Sequence, residues 1–226
     1  MRRREFIALV AMAATWPLVA RSSDQLKRIG VLVNSVETEP EPKVDIAAFE
    51  QALRTVGWKL GQDVTVEYRW SRLTPERTTA LGAELAGLNL DVIVAHTTAA
   101  LVAVRNATKT IPIIFMAVSD PVTQGFVTNL AHPEGNITGF VAFEFSIGSK
   151  WIGLLKQLVP NLAHVAIMSN PVTSPQSGFH LKSVQTPAPA LGVDVTSLPI
   201  HSETEIEPAI AGFTRQSNGG PRHCGR

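Results

Sequence analysis

The stretch Asp91–Phe115 reads DVIVAHTTAALVAVRNATKTIPIIF, and it decides the fold class. The short apolar run Asp91–Ala95 is typical of a buried strand, and Thr97–Thr108 has the length and composition of a helix. Ile111–Phe115 is a second apolar strand. A strand, a helix and another strand in this order predict a parallel pair joined by a crossover helix, which is the building unit of α/β domains.

The same alternation continues along the rest of the chain. Further strands are predicted at 28–34, 64–70, 137–142, 164–168 and 193–198, and helices at 46–56, 75–88, 120–130, 146–159, 175–191 and 202–215. Glu37–Lys43 holds two prolines and several charges and is predicted to be a loop. The pattern predicts parallel sheets flanked by helices, with ligands bound outside the carboxyl ends of the strands.

Length and composition bound the class of protein. The chain has 226 residues, of which 45% are apolar and 17% charged, and this balance is that of a globular protein with one large α/β domain or two smaller lobes. A formal net charge of +1 gives no strong field for nucleic acid, so no nucleic-acid partner is expected. Cys224 is the single cysteine, which excludes a disulfide within the chain and a lipid-anchored cysteine near the N-terminus.

The N-terminus has the order of an export signal. Arg2–Arg4 is a basic stretch, Ile7–Ala14 is apolar, and Ala20–Ser22 has the small-x-small form of a cleavage site. Arg3–Ile7 is also similar to the twin-arginine signal. Residues 1–22 are therefore predicted to be a signal peptide, which makes the mature protein periplasmic. The alternative is a short amphipathic helix of a cytosolic protein.

The motifs of common enzyme classes are absent. The sequence has no Gly-x-Gly-x-x-Gly after a strand, no phosphate-binding Gly-x-x-x-x-Gly-Lys-Ser/Thr and no Gly-x-Ser-x-Gly. None of the six histidines forms a His-x-x-x-His pair. No catalytic residue, cofactor or metal is therefore predicted, and the chain is expected not to be an enzyme.

Candidate binding residues follow the predicted strands. Thr97 and Thr98 stand at a helix start, where hydroxyls and free backbone N–H groups favour an anion such as a carboxylate, although simple N-capping is an alternative. His96 precedes these two threonines. It is predicted to be a ligand contact, an exposed loop residue or a hydrogen-bond partner at the helix cap.

Three more polar residues stand at strand ends. Asp120 precedes a proline and can cap a helix or bind a ligand ammonium group. Ser35 and Asn170 come directly after strands in the two halves of the chain. Ile29–Asn34 and Val165–Asn170 are both apolar strands that end in asparagine, which suggests two lobes of similar design. We expect a first lobe at 24–142 and a partial second lobe at 143–220.

Several motifs together resemble one family. They are the N-terminal MRRREFI, Gly61–Val64 with Glu67–Trp70, Thr110–Phe115, Ser119–Val122, Pro133–Gly139, and Leu154–Leu155 with Leu158–Pro160. On the basis of these motifs, the chain from Met1 to about Gly220 is similar to the ABC transporter substrate-binding proteins of the tryptophan/tyrosine-binding type.

The resemblance implies a two-lobed fold like the type 1 periplasmic binding proteins, with a small-molecule solute held between the lobes and a membrane permease of an ABC importer as partner. It places Ser35, Thr97, Thr98, Ser119 and Asp120 on the first lobe's side of the ligand, and Asn170 on the second lobe's side.

The last residues depart from that pattern. Where the resemblance leads to another apolar strand, Pro221–Arg226 reads PRHCGR, and proline and arginine do not suit a central strand. One possible set of codons for these six residues encodes an apolar stretch when it is read in a frame shifted by one base. We therefore expect an aberrant tail at 221–226 produced by a frameshift, an incomplete second lobe, low solubility and weak ligand binding.

The favoured hypothesis is an extracytoplasmic solute-binding protein that delivers a small molecule to an ABC-type importer. The alternatives are a small secreted enzyme on a flavodoxin-like α/β scaffold, a ligand-sensing domain of a receptor, and a non-functional fragment of a binding protein.

Overall fold

A computed structural model describes residues 26–133 and 135–218. The predicted signal peptide and the tail at 221–226 lie outside the described residues. The strands are β1 (Lys27–Val33), β2 (Val64–Trp70), β3 (Val92–His96), β4 (Ile113–Val118), β5 (Ile137–Val141), β6 (His164–Ser169) and β7 (Asp194–Pro199). The helices are α1 (Pro40–Thr55), α2 (Pro75–Ala86), α3 (Thr98–Ala107), α4 (Ile147–Leu158), α5 (Ser177–Gln185) and α6 (Ile206–Asn218), with 3₁₀ turns at Ala188–Leu191 and Glu203–Glu205.

The first sheet is parallel throughout and has the order β2-β1-β3-β4-β5. Its central strands are buried on both faces, because alternate residues of a strand point to opposite sides. Leu32 and Phe115 belong to a core cluster that includes α2 and α3, whereas Val31 and Val94 belong to a second cluster with α1. The continuous apolar runs that predicted these strands follow from this double burial, and the predicted α/β class is confirmed.

The second sheet consists of β6 and β7, which are parallel. A small core of Ile152, Val184, Ala188 and Val193 lies beside it. Helix α4 approaches α5 closely at Gly148, where a β-carbon would collide with the side chain of Ser183. The sheet is much less covered than the first one, since every residue of β6 is half-buried or exposed.

Helix α4 presents an apolar stripe to solvent. Its members recur at helical spacing on one face: Trp151, Leu154, Leu155 and Leu158. Their exposed fractions run from 42% for Leu155 to 79% for Leu158. An adjacent face of the same helix carries the buried Gly148 and Ile152, so the apolar surface of the helix extends from the core onto its exposed side.

The structure differs from the prediction in two segments. The loop expected at 37–43 gives way to α1 at Pro40, because a proline in the first helical turn lacks only an N–H that would be unbonded there. The helix expected at 120–130 is a series of turns. There Asp120 binds the amide of Thr123 within a tight turn, and Gly125 has φ of 70°, which a continuing helix does not allow.

Helices α2 and α3 pack side by side on the first sheet. Their closest approach is at Gly82, where a β-carbon would lie 3.1 Å from the backbone of Ala103. Among the described residues no helix has both the length and the apolar character required to cross a membrane.

Candidate functional site

Polar residues collect at the carboxyl edge of the first sheet. Asn34 and Ser35 follow β1, Thr97 and Thr98 follow β3, and Ser119 follows β4. Because β1 is flanked by β2 on one side and by β3 on the other, successive connections leave in opposite directions between β1 and β3. Such a switch point is where open parallel sheets bind ligands.

Thr97 and Thr98 begin α3 in an unusual way. Thr97 has φ of 84°, a backbone conformation that a β-branched residue rarely adopts, and its side chain does not cap the helix. Thr98 is only 1% exposed. Neither Thr97 Oγ1 nor Thr98 Oγ1 has a hydrogen-bond partner among the described residues, although both atoms are buried. Two buried hydroxyls without partners beside a helix N-terminus form a group of free donors.

Asp120 binds two segments that follow it in the chain. Its Oδ1 accepts from the amide of Thr123 at 3.0 Å, and its Oδ2 accepts from the amide of Phe145 at 3.3 Å. Its own amide donates to the carbonyl oxygen of Phe143 at 2.7 Å. Asp120 thereby ties the end of β4 to the segment that leads from β5 into α4.

The two serines contribute mainly through their backbone. The Ser119 carbonyl oxygen accepts from the side-chain amide of Gln124, and the serine itself is buried. Ser35 is half-buried, and its carbonyl oxygen accepts from the amide of Arg72 at 3.0 Å. Both serines therefore lie on the sheet edge that the sequence predicted, with their loops held by backbone bonds.

Asn170 occupies the corresponding place in the second sheet, directly after β6. Its Oδ1 accepts from the amides of Val172 and Thr173 at 3.0 and 3.3 Å, and its Nδ2 donates to the His201 carbonyl oxygen at 3.4 Å. The asparagine thus shapes the turn that follows it.

His96 is buried rather than exposed in a loop, so that alternative for this residue is wrong. It is the last residue of β3, and its Nε2 lies 2.9 Å from Asp45 Oδ2 on α1. Because a carboxylate only accepts, Nε2 carries the hydrogen, and Nδ1 has no partner among the described residues. The pair anchors α1 beside the switch point.

A cavity of about 170 Å³ lies between α2, α3 and the turn after β6. The first-lobe wall includes Asn34, Pro75, Thr78 and Val102, and the second-lobe wall consists of Val172, Thr173 and Pro175. No charged side chain of a described residue lines it. The cavity adjoins the predicted residues through Ala99, next to Thr98, and through Val172, close to Asn170, but it includes none of the six predicted contacts themselves.

Asn34 is the residue that the sequence reasoning passed over. It is 6% exposed, lines the cavity, and lies beside the predicted Ser35. Its signal in the sequence was the asparagine that ends an apolar strand in each half of the chain. Within residues 26–133 and 135–218 no cluster of histidine, cysteine or acidic side chains has the makings of a metal site.

Several known proteins are similar to this chain in sequence or in fold. The chain is 26% identical over 191 residues to a tyrosine-binding protein of Clostridioides difficile, covering 84% of this chain and 54% of that relative. A conserved domain protein of Vibrio cholerae superimposes with a TM-score of 0.75 at 22% identity. An ABC domain of Streptococcus pneumonia, solved in complex with L-Trp, superimposes with a TM-score of 0.74 at 23% identity. Both structural matches cover 85% of this chain and 63% of the solved chain.

The parallel sheets, the switch-point edge and a cavity shared by two lobes are those of a two-lobed α/β fold. The family model described as ABC transporter substrate binding protein matches residues 30–219, and the chain belongs to that family. This decides for the substrate-binding class over the flavodoxin-like enzyme. The chain spans 54% of the curated relative and 63% of the two solved structures.

Proposed function

We propose that this chain captures a small organic solute outside the cytoplasm and presents it, chemically unchanged, to the permease of an ABC-type importer. The observation that carries the proposal is the pair of buried, unpartnered hydroxyls of Thr97 and Thr98 at the start of α3. They lie at the switch point of a sheet whose family binds substrates. A buried donor without a partner is uncommon in folded proteins and favours a site that a ligand completes.

The solute we propose carries a carboxylate. Helix N-termini attract negative charge, and the hydroxyls of Thr97 and Thr98 add two donors at that place. The tyrosine-binding relative and the L-Trp complex support an amino acid as the first class to test. In this proposal Ser35 and Ser119 line the same edge, Asp120 faces the solute ammonium group, and Asn170 approaches from the second lobe.

Binding of amino acids by the purified 226-residue chain tests this function directly. L-tyrosine, L-tryptophan and L-leucine are titrated by calorimetry into the wild type and into Thr98→Val, which keeps the shape and removes the hydroxyl. We expect Thr98→Val to weaken binding of the preferred amino acid by about tenfold or more, since a hydrogen bond to a charged group contributes about 1.5–3 kcal/mol. Thr128→Val, an exposed position, is the matched control. Equal affinities in the wild type and Thr98→Val would exclude this role for Thr98.

Export is a second part of the proposal. We propose that residues 1–22 direct the chain across the inner membrane by the twin-arginine route, on the basis of Arg3, Arg4 and Phe6. A reporter fused to residues 1–30 should appear in the periplasm. Replacing both arginines, Arg3→Lys and Arg4→Lys, should retain the reporter in the cytoplasm, whereas Arg2→Lys should not. Unchanged export of the double variant would indicate general secretion instead.

A further inference from the structure

The side chain of Asn34 is held in one orientation by hydroxyl groups. Ser71 Oγ donates to Asn34 Oδ1 at 2.7 Å, and Thr78 Oγ1 lies 3.1 Å from the same oxygen. Ser71 and Thr78 are 0% and 3% exposed, so this cluster is closed to solvent. Both hydroxyls converge on one atom, and they define which end of the carboxamide is engaged.

The other end of that carboxamide is free. Asn34 Nδ2 makes no hydrogen bond with any described residue, and Asn34 lines the cavity between α2, α3 and the turn after β6. On the same wall the Thr79 hydroxyl donates to the Pro75 carbonyl oxygen, and the single hydrogen of the Thr78 hydroxyl is shared between Asn34 Oδ1 and the Thr74 carbonyl oxygen. Asn106 also lines this wall but is exposed. Asn34 Nδ2 is therefore a donor that the fold leaves available in the cavity.

The rest of the lining is neutral and mostly apolar. Pro75, Ala99 and Val102 of the first lobe face Val172 and Pro175 of the second, and no charged side chain of a described residue is present. A charged group would lose its hydration there without gaining a partner of opposite sign. At about 170 Å³ the cavity is smaller than pockets that enclose a complete ligand, so it suits one portion of a solute.

We propose that this cavity receives an uncharged portion of the solute, and that Asn34 selects a group with an acceptor lone pair, such as a phenolic hydroxyl, a carbonyl or a ring nitrogen. The inference deepens the proposed function and rests on it for the rest of the solute. It assigns the specificity for the neutral end to Asn34, whereas Thr97 and Thr98 recognise the charged end.

Small aromatic fragments, one neutral and two charged, test the cavity without the remainder of a solute. Phenol, benzoate and benzylammonium are titrated into ¹⁵N-labelled protein, and the side-chain amide resonances are followed by NMR. The pair that belongs to Asn34 is identified by its loss in Asn34→Asp, an isosteric change that removes the donor. Asn161→Asp, at an exposed asparagine outside the cavity, is the matched control.

We expect phenol to shift the Asn34 amide pair and to saturate, while benzoate and benzylammonium leave it unmoved. Asn34→Asp should weaken phenol binding by about fivefold, the ratio that one neutral hydrogen bond of about 1 kcal/mol supplies, and Asn161→Asp should not. An unmoved Asn34 pair, or an equal response to the charged fragments, overturns the inference.

The two proposals fail separately. If an intact amino acid binds and leaves the Asn34 pair unmoved, the proposed function stands and this inference is wrong. If phenol moves the pair and none of the amino acids binds, the cavity assignment stands and the proposed amino-acid specificity is wrong.

Discussion

Asn34 and Asn170 occupy equivalent positions in the two lobes and are held in the same way. Each follows the first strand of its sheet, and each has its side-chain oxygen bound by two groups. For Asn34 these are the hydroxyls of Ser71 and Thr78, and for Asn170 they are the backbone amides of the turn that follows it. The two asparagines thus fix the loops on either side of one cavity, although their partners differ in kind.

The bond between Ser71 and Asn34 should be measurable in stability. Ser71→Ala removes a donor from a buried oxygen, and we expect the free energy of unfolding to fall by about 1–2 kcal/mol. Urea unfolding followed by circular dichroism measures it. Ser197→Ala, at an exposed position on β7, should stay within about 0.5 kcal/mol of the wild type. Equal losses in the two variants would show that the Ser71 bond contributes nothing.

The close contact of α2 with α3 predicts a strong response at Gly82. A β-carbon there would lie 3.1 Å from Ala103 backbone atoms that cannot move aside without shifting the helix. Gly82→Ala should therefore destabilise the protein by about 1–3 kcal/mol, as overpacked sites do.

Gly153→Ala is the matched control for this change, since Gly153 also lies within a helix but a β-carbon there would meet nothing within 4 Å. It should stabilise the protein by about 0.5–1 kcal/mol through its higher helix propensity. Thermal unfolding of both variants measures these changes. A Gly82→Ala variant as stable as the wild type would mean that α2 and α3 are not tightly packed.

The ion pair of Arg28 and Glu67 predicts a pH dependence. The Arg28 guanidinium, 2.6 Å from Glu67 Oε1, holds the pKa of that carboxyl below its ordinary value of 4.5. A lowered folded-state pKa means that the pair's contribution is complete above pH 4.5 and disappears as the pH falls through the folded-state pKa.

Glu67→Gln should accordingly be less stable than the wild type at pH 7, by about 0.5–1 kcal/mol for a partly exposed pair, and equally stable in strong acid. Denaturant unfolding between pH 2 and 7 measures this convergence. Glu76→Gln, at an exposed glutamate that makes no ion pair within the described part of the chain, is the control for loss of a carboxylate without loss of an ion pair. If the difference in the free energy of unfolding between Glu67→Gln and the wild type stayed constant from pH 2 to 7, the proposed contribution of the ion pair would be contradicted.

The apolar stripe on α4 predicts self-association. Exposed apolar patches of this kind promote contact between molecules, and Leu158 alone is 79% exposed. The double change Leu154→Glu and Leu158→Lys should reduce light scattering at high protein concentration while leaving the unfolding midpoint within a few degrees. Val44→Lys alters an isolated apolar side chain that is 67% exposed and should not change the scattering. Unchanged light scattering in the double variant would show that the protein self-associates through a surface other than the α4 stripe.

The sequence predicted the sheets well because their strands are buried on both faces. Runs such as Ile29–Val33 and Val92–Ala95 can be placed from composition alone, and the alternation with helices then determines which edge holds the loops. Five of the predicted site residues do lie along that edge. Side-chain partners could not be predicted, because Ser71 and Thr78 are 37 and 44 residues away from Asn34 and meet it only in the folded chain.

Local chemistry explains the errors of detail. A proline next to charged residues suggested a loop at Pro40, yet the same residue suits the first turn of a helix. Asp120 was predicted either to cap a helix or to bind a ligand ammonium group. Its side chain closes a turn instead of capping a helix, and it also reaches Phe145, 25 residues away. A sequence pattern identifies a residue that can cap, but the surrounding chain decides what it caps.

The side chain of Asp120 joins the turn after β4 to the segment that enters α4. Its carboxylate is already shared by the amides of Thr123 and Phe145, and the second of these lies on the segment that enters α4. Any solute cation that drew on the same oxygens would loosen their hold on that segment. A bound solute cation and the two backbone amides would then compete for one carboxylate.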